Sequence, residues 1–207
     1  MKENYHVLCF GDSLTAGTPG YEPGYGGDVR SQYGFWLGEE SRKCGMSGFR
    51  FTNAGIPGEL ASTMHNRLGK ILSSGTYDAV IILAGTNDIG WGIAPQEVFV
   101  IVSRLWSVSV DRGLETIACT VPPVGMLYPP LQDAQRELNN TIMRAVGSHR
   151  LLHIVDVFSV LSTDEMLLLP AFDSGDGLHL SVQGYKRMGE TIWNGALKDL
   201  VLRSGVS

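Results

Sequence analysis

The sequence predicts an α/β protein: a flavodoxin-like three-layer sandwich with a five-stranded, mostly parallel sheet between helices. Three observations lead there. Five short apolar runs, rich in β-branched residues, alternate with longer segments of helical pattern, which implies βαβ units with right-handed crossovers. The third run, Ala79-Val80-Ile81-Ile82-Leu83-Ala84, is apolar throughout, as expected of a central parallel strand covered on both faces. A small polar turn, Gly11-Asp12-Ser13, directly follows the first run.

In chain order the strands are expected over His6 to Phe10, Arg50 to Ala54, Ala79 to Ala84, Glu115 to Val121 and Leu152 to Val157. The helices between them are expected over Tyr33 to Lys43, Leu60 to Ser73, Pro95 to Arg112, Gln132 to Ser148 and Val182 to Leu202. Pro95 suits a first helical turn, where its missing N–H is no loss. Ser181 suits an N-cap. Five strands fit the order 2-1-3-4-5, with a switch point beside the first strand. The segment Thr18 to Asp28 is too rich in Gly and Pro for a helix or strand and too aromatic for a plain linker, so it reads as a loop beside Ser13. No repeat or composition break divides the chain, and residues 1–207 are read as one domain.

Composition narrows the function classes. The chain has 207 residues, 43% hydrophobic and 18% charged, with a net charge of -5 and no Lys/Arg-rich run. That argues against a nucleic-acid partner. No apolar run approaches the ~18 residues needed to cross a bilayer, so no stable membrane insertion is expected. Met1 to Tyr5 leads into the first strand without an apolar leader, so a cytoplasmic location is expected. Three cysteines without close spacing argue against a disulfide framework or zinc site. Cys9 and Cys119 sit in strand-like runs and read as core; Cys44 lies in a polar stretch.

Four strand ends carry the chemistry-bearing residues. They are Gly11-Asp12-Ser13; Asn53-Ala54-Gly55-Ile56-Pro57-Gly58-Glu59; Gly85-Thr86-Asn87-Asp88; and, before the last helix, Asp176-Gly177-Leu178-His179. A parallel sheet brings all four to one edge. Ser13 needs a base to become a nucleophile, and His179 can take its proton near neutral pH. Asp176, three residues earlier, can reach the other ring nitrogen and fix the tautomer. Acyl transfer also needs donors aimed at the developing oxyanion. The side-chain amide of Asn87 and the backbone N–H groups of Gly58 and Ser13 are candidates.

These blocks resemble the GDSL (SGNH) esterase and lipase family, and the resemblance runs from Gly11 to His179. Gly11-Asp12-Ser13-Leu14 resembles its first block, Gly58 matches its second-block oxyanion glycine, and Gly85, Asn87 and Asp88 match its third. Asp176 and His179 match its Asp-x-x-His. The resemblance implies a cofactor-independent serine hydrolase of carboxylic esters. Its nucleophile would be Ser13, its base His179, and its orienting carboxylate Asp176; Ser13, Gly58 and Asn87 would form the oxyanion hole. The family often has Pro after its catalytic His, where this chain has Leu180-Ser181, and the loop after Ser13 looks longer than in the smallest relatives.

Other readings stand beside these. Ser13 can simply cap a helix, Asn87-Asp88 can mark a turn, and Gly58 can serve only to reverse the chain. Asp12 and Asp88 read as structural. His6, His65, His149 and His153 lack a matching carboxylate context. Tyr21, Tyr25 and Trp91 are candidates for substrate binding, Trp91 alternatively for half-buried packing. A small-molecule ester of short acyl or aryl type is the expected substrate. Lysophospholipids, thioesters and acetylated carbohydrates remain alternatives, and oligomeric state is left open. A flavodoxin-like nucleotide- or flavin-binding module is the competing class, disfavoured because neither a P-loop nor a Gly-x-Gly-x-x-Gly motif occurs. No Gly-x-Ser-x-Gly elbow or His-Glu-x-x-His motif occurs either. A non-catalytic relative would not need all these groups.

Overall fold

The computed structural model describes residues 4–46 and 48–205. Its main sheet has five parallel strands: β1 (Tyr5–Gly11), β2 (Phe49–Gly55), β3 (Ala79–Leu83), β4 (Glu115–Cys119) and β5 (Leu152–Val155). Their spatial order is β2-β1-β3-β4-β5, as the sequence predicts.

The apolar run of β3 follows from its place. Side chains alternate across a strand, and here both faces are covered. Ala79, Ile81 and Leu83 join one core with Val7 and Cys9 of β1. Val80 and Ile82 join the other with Leu8 and Phe10. The first core is closed by α2 (Tyr33–Lys43) and α7 (Val182–Ile192), with Tyr33, Tyr185 and Trp193 as its largest buried side chains. The second is closed by α3 (Ala61–Ser74), α5 (Pro95–Val110) and α6 (Pro129–Arg144). Cys9 and Cys119 lie buried in the first core as free thiols, and burial pushes the Cys9 thiol up to about 12; Cys44 is exposed.

Several details depart from the sequence expectation. Two short helices, α1 (Ser13–Ala16) and α4 (Thr86–Gly90), follow β1 and β3 directly. One helix of four residues and one of five carry too little periodicity to be seen. The helix expected from Gln132 starts at Pro129, with prolines in its first turn, and ends at Arg144. The last helix passes through a π-helical turn, Trp193–Leu197, into α8 (Lys198–Ser204). The loop Thr18 to Asp28 contains a two-stranded antiparallel ribbon, Tyr21–Glu22 with Gly26–Gly27, so the expectation of no strand there is corrected. Two residue pairs are too short a ladder for β-propensity to register. Among the described residues no helix is long and apolar enough to cross a membrane.

Candidate active site

Ser13 sits at the first position of α1, at the carboxyl end of β1. The helix is capped by its neighbour: Asp12 accepts the Leu14 N–H at 2.9 Å. The capping role open to Ser13 is therefore filled, and its hydroxyl faces elsewhere. Ser13 Oγ lies 3.0 Å from His179 Nε2. On the far side of the ring, His179 Nδ1 lies 2.6 Å from Asp176 Oδ2.

The Asp176–His179 turn is built to hold this line. Asp176 Oδ1 accepts the N–H groups of Leu178 (2.9 Å) and His179 (2.8 Å). Partial burial pushes the Asp176 carboxyl up, but hydrogen bonds from the His179 backbone and ring and from Leu178 outweigh it and hold the group well below the usual carboxylate range. Asp173 closes the preceding turn by accepting from Gly175 (2.8 Å) and Gly177 (3.0 Å). The Gly125 N–H donates to the Gly177 carbonyl at 2.7 Å, tying this turn to the segment after β4. Ser181 caps α7, accepting the Gly184 N–H at 3.2 Å. The Asp-x-Gly-x-Gly spacing of Asp173, Gly175 and Gly177 was the available signal for Asp173, since Asp favours such side-chain-closed turns.

The second loop approaches α1 closely. A Cβ on Gly55 would lie 2.1 Å from the Ala16 nitrogen, so only glycine fits there. Asn53 fixes the approach, donating to the carbonyls of Thr15 (2.9 Å) and Ala16 (3.1 Å) and to Gln32 Oε1 (2.6 Å). Gly58 stands in a turn closed by Glu59 N–H to Ile56 carbonyl (3.2 Å), with φ of +75°. Its conformation alone favours glycine, which leaves the chain-reversing role in force beside any other.

Asn87 lies in α4 and donates one amide N–H to the Glu59 carbonyl at 3.0 Å. A second N–H on the same nitrogen remains for another acceptor. Asp88 Oδ2 accepts the Ala61 N–H at 3.0 Å and so serves the start of α3, whose own N-cap position offers no side-chain bond. Asp12 and Asp88 are both buried, and among the described residues each has one carboxyl oxygen without a hydrogen-bond partner. Burial pushes Asp12 up to about 7, against the Leu14 hydrogen bond; Asp88 is raised for the same leading reason.

The structure thus brings Ser13, His179 and Asp176 into one line and joins Asn87 to the loop that carries Gly58. The three aromatic candidates fare differently. Trp91 ends α4, its N–H donating to the Asn87 carbonyl at 2.9 Å, and is 80% exposed, so the half-buried packing alternative is corrected. It lines an open groove of about 510 Å³ with Ile89, Ile93, Met126, Tyr128 and Leu131. Tyr21 stands on the ribbon and Tyr25 in the turn that joins its two strands, Tyr25 at 87% exposure. Among the described residues neither bonds to Ser13, Asp176 or His179. A hollow of similar size beside His65, Lys70 and Arg112 contains none of the predicted residues. His153 does have a carboxylate partner, Glu115 at 2.7 Å, contrary to the sequence reading. Neighbouring strands bring the two together near the amino edge of the sheet, which the linear sequence does not display. Among the described residues no cluster of three or more His, Cys, Asp or Glu is arranged to hold a metal ion.

A hydroxyl, an imidazole and a carboxylate in hydrogen-bonded line are the parts of a proton relay that can activate an oxygen nucleophile. The profile of the GDSL-like lipase/acylhydrolase family matches residues 9–187, spanning all four blocks. The chain belongs to this family. Family membership makes it an ester-hydrolysing acylhydrolase in the broad sense. Solved structures share its fold at low identity. A family 3 carbohydrate esterase from Clostridium thermocellum has TM-score 0.74 and 16% identity, covering 98% of this chain and 100% of that one. TesA has TM-score 0.73 and 20% identity, with 94% and 99% covered. A member of the lipolytic G-D-S-L family from Veillonella parvula has TM-score 0.71 and 20% identity, again with 94% and 99% covered. No curated protein gives a significant sequence match.

Proposed function

We propose that this GDSL-family chain is a serine esterase that works through an acyl-enzyme at Ser13. The observation that carries the reading is the hydrogen-bonded line Ser13–His179–Asp176 at 3.0 and 2.6 Å. His179 Nε2 takes the Ser13 proton as Oγ attacks the ester carbonyl, then gives it to the departing alcohol. Water deacylates the enzyme by the same relay run again. Asp176 holds the imidazole with its proton on Nδ1, leaving Nε2 free to accept. The free N–H of Asn87 and the N–H groups of Gly58 and Ser13 receive the oxyanion. Ser13 N–H, in the first turn of α1, has no intrahelical acceptor to satisfy.

Short acyl or aryl esters are the proposed substrates. The apolar groove beside Trp91 adjoins both the Asn87 helix and the segment tied to Gly177, and an aromatic wall suits a compact apolar group. One observation favours a second reading. Met126 and Tyr128 of the groove wall, and Leu127 between them, are exposed apolar side chains, which suits a longer acyl chain, as in a lysophospholipid or acyl thioester.

Two measurements test this. A fluorophosphonate probe is expected to form one adduct, at Ser13; labelling elsewhere with Ser13 untouched in active protein refutes the nucleophile. A panel of p-nitrophenyl esters from acetate to palmitate, with a thioester and an acetylated sugar, is expected to peak in kcat/KM at short chains. A maximum at ten carbons or beyond favours the second reading.

A further inference from the structure

Arg67 lies in α3, outside the four sequence blocks, yet its side chain reaches back to the carboxyl edge of the sheet. Nη1 donates to the Ala54 carbonyl at 2.7 Å, and Nη2 to the Gly11 carbonyl at 3.2 Å. Nε donates to Glu59 Oε1 at 2.9 Å, and Nη2 also pairs with Glu59 Oε2. The guanidinium carbon stands 4.0 Å from the centre of the Phe10 ring. The Arg67 and Glu59 side chains are only 19% and 11% exposed. This is not a solvated surface pair, whose contribution would be small. One planar group locks the ends of β1 and β2 to the loop after β2.

That loop carries Gly58 and accepts the Asn87 amide, and so bears on two of the three proposed oxyanion donors. The Glu59 carbonyl accepts the Asn87 amide, and the Glu59 N–H closes the turn that sets Gly58 at positive φ. A rotation of Glu59 therefore moves the Gly58 peptide and releases the Asn87 amide together. Charge points the same way. Glu59, Asp12 and Asp88 are acidic groups at this edge, unfavourable to a developing oxyanion, and Arg67 neutralises the first of them.

We propose that Arg67 and Glu59 are a positioning pair that holds the Gly58 and Asn87 donors on the oxyanion. The proposal rests on Ser13 being the nucleophile. Misplacing reacting groups by about 1 Å costs on the order of 100-fold, so Arg67→Ala should lower kcat by about 10- to 100-fold with KM within about twofold. Arg67→Lys should recover only part of this, because a single ammonium cannot serve two carbonyls and a carboxylate in one plane.

The deciding experiment is a double-mutant cycle with Asn87→Ala, read with p-nitrophenyl acetate. If Arg67 acts through the donors, Arg67→Ala on the Asn87→Ala background should cost several-fold less than in the unaltered protein, because only the Gly58 donor is left to misplace. Glu59→Gln keeps the side-chain shape and supplies the same cycle should Arg67→Ala not fold. In parallel, the Gly58 backbone and Asn87 side-chain amide resonances of the ¹⁵N-labelled protein should move in both Arg67→Lys and Glu59→Gln. Full additivity in the cycle, or a loss carried by KM, overturns the proposal. So do unmoved amide resonances, whatever the activity. Failure of the unaltered protein to hydrolyse any ester refutes the serine-esterase reading instead, and the resonances still report whether the clamp holds the two donors.

Discussion

Replacing Asn87 by alanine removes an amide with two separable tasks. One N–H holds the Glu59 carbonyl at 3.0 Å; the other is assigned to the oxyanion. The two losses are expected to appear in different measurements. Loss of one oxyanion donor typically lowers kcat by ~10²–10³, or about 2.7–4 kcal/mol of transition-state stabilisation. Two backbone donors remain, which places the expected loss toward the lower figure. The second loss leaves a part-buried carbonyl without its partner, at a cost of about 1–3 kcal/mol in stability. For a chain of this size that lowers Tm by roughly 2–4 °C per kcal/mol. Steady-state kinetics on p-nitrophenyl acetate, taken well below Tm, separate the two. The expected result is a kcat reduced about 100-fold, KM nearly unchanged and a modest fall in Tm. A raised KM with kcat preserved would make Asn87 a binding residue. A lower Tm with both constants intact would make it a structural one. Either result refutes its place in the oxyanion hole.

Three further expectations follow from the same geometry. Asp176→Asn can keep Oδ1 as acceptor for the 178 and 179 N–H groups, but it then turns an amide donor toward His179 Nδ1. The ring is held in the tautomer that cannot accept from Ser13, and kcat should fall by about 10³–10⁴; a loss under tenfold in steady-state assays would remove Asp176 from the relay. Asp12 has a folded-state value raised from the ordinary carboxylate range to about 7, so the folded state binds more protons than the unfolded one between the two values, and Asp12 should cost stability progressively as pH rises from ~4 to 7. Thermal melts of Asp12→Asn should therefore lose part of the decline that the unaltered protein shows across that window, and an identical pH profile in both proteins would contradict the burial argument. Trp91→Ala should raise KM for aryl esters several-fold while leaving kcat for acetate esters close to normal, and unchanged constants across the ester panel would exclude the groove beside Trp91 as the acyl site.

The strand order and the alternating cores were legible because the central strand β3 is a continuous apolar run covered on both faces and the other strands are short apolar-rich runs spaced by helical pattern. Ser13, Asp176 and His179 were legible because each sits at a strand end or just before a helix, in a short local pattern. The supporting residues were harder to see. Asn53 and Arg67 act through backbone carbonyls distant in sequence, and no residue-type pattern announces such partners; Asp173 acts only on N–H groups two and four residues on, where the local Asp-x-Gly-x-Gly spacing was the signal. Asp12 was read as structural, but its capping of α1 is visible only once α1 exists, and four residues have no period. His153 and Glu115 meet because β4 and β5 pair in register, with Ile117 opposite His153, a relation fixed by packing and not by local sequence.

Ser13 and His179 are separated by 166 positions, and this bears on how the chain acquires reactivity. During synthesis the serine hydroxyl is made 166 residues before the imidazole proposed to pair with it. Closing a loop of that length depends on the sheet forming first, since a long loop costs entropy that only the assembled cores repay. On the proposed mechanism, chains that stop short of His179 should therefore be inert toward esters, and chemical competence should arrive as a late event in folding. A refolding experiment followed by probe labelling should show serine reactivity lagging behind the appearance of helical signal.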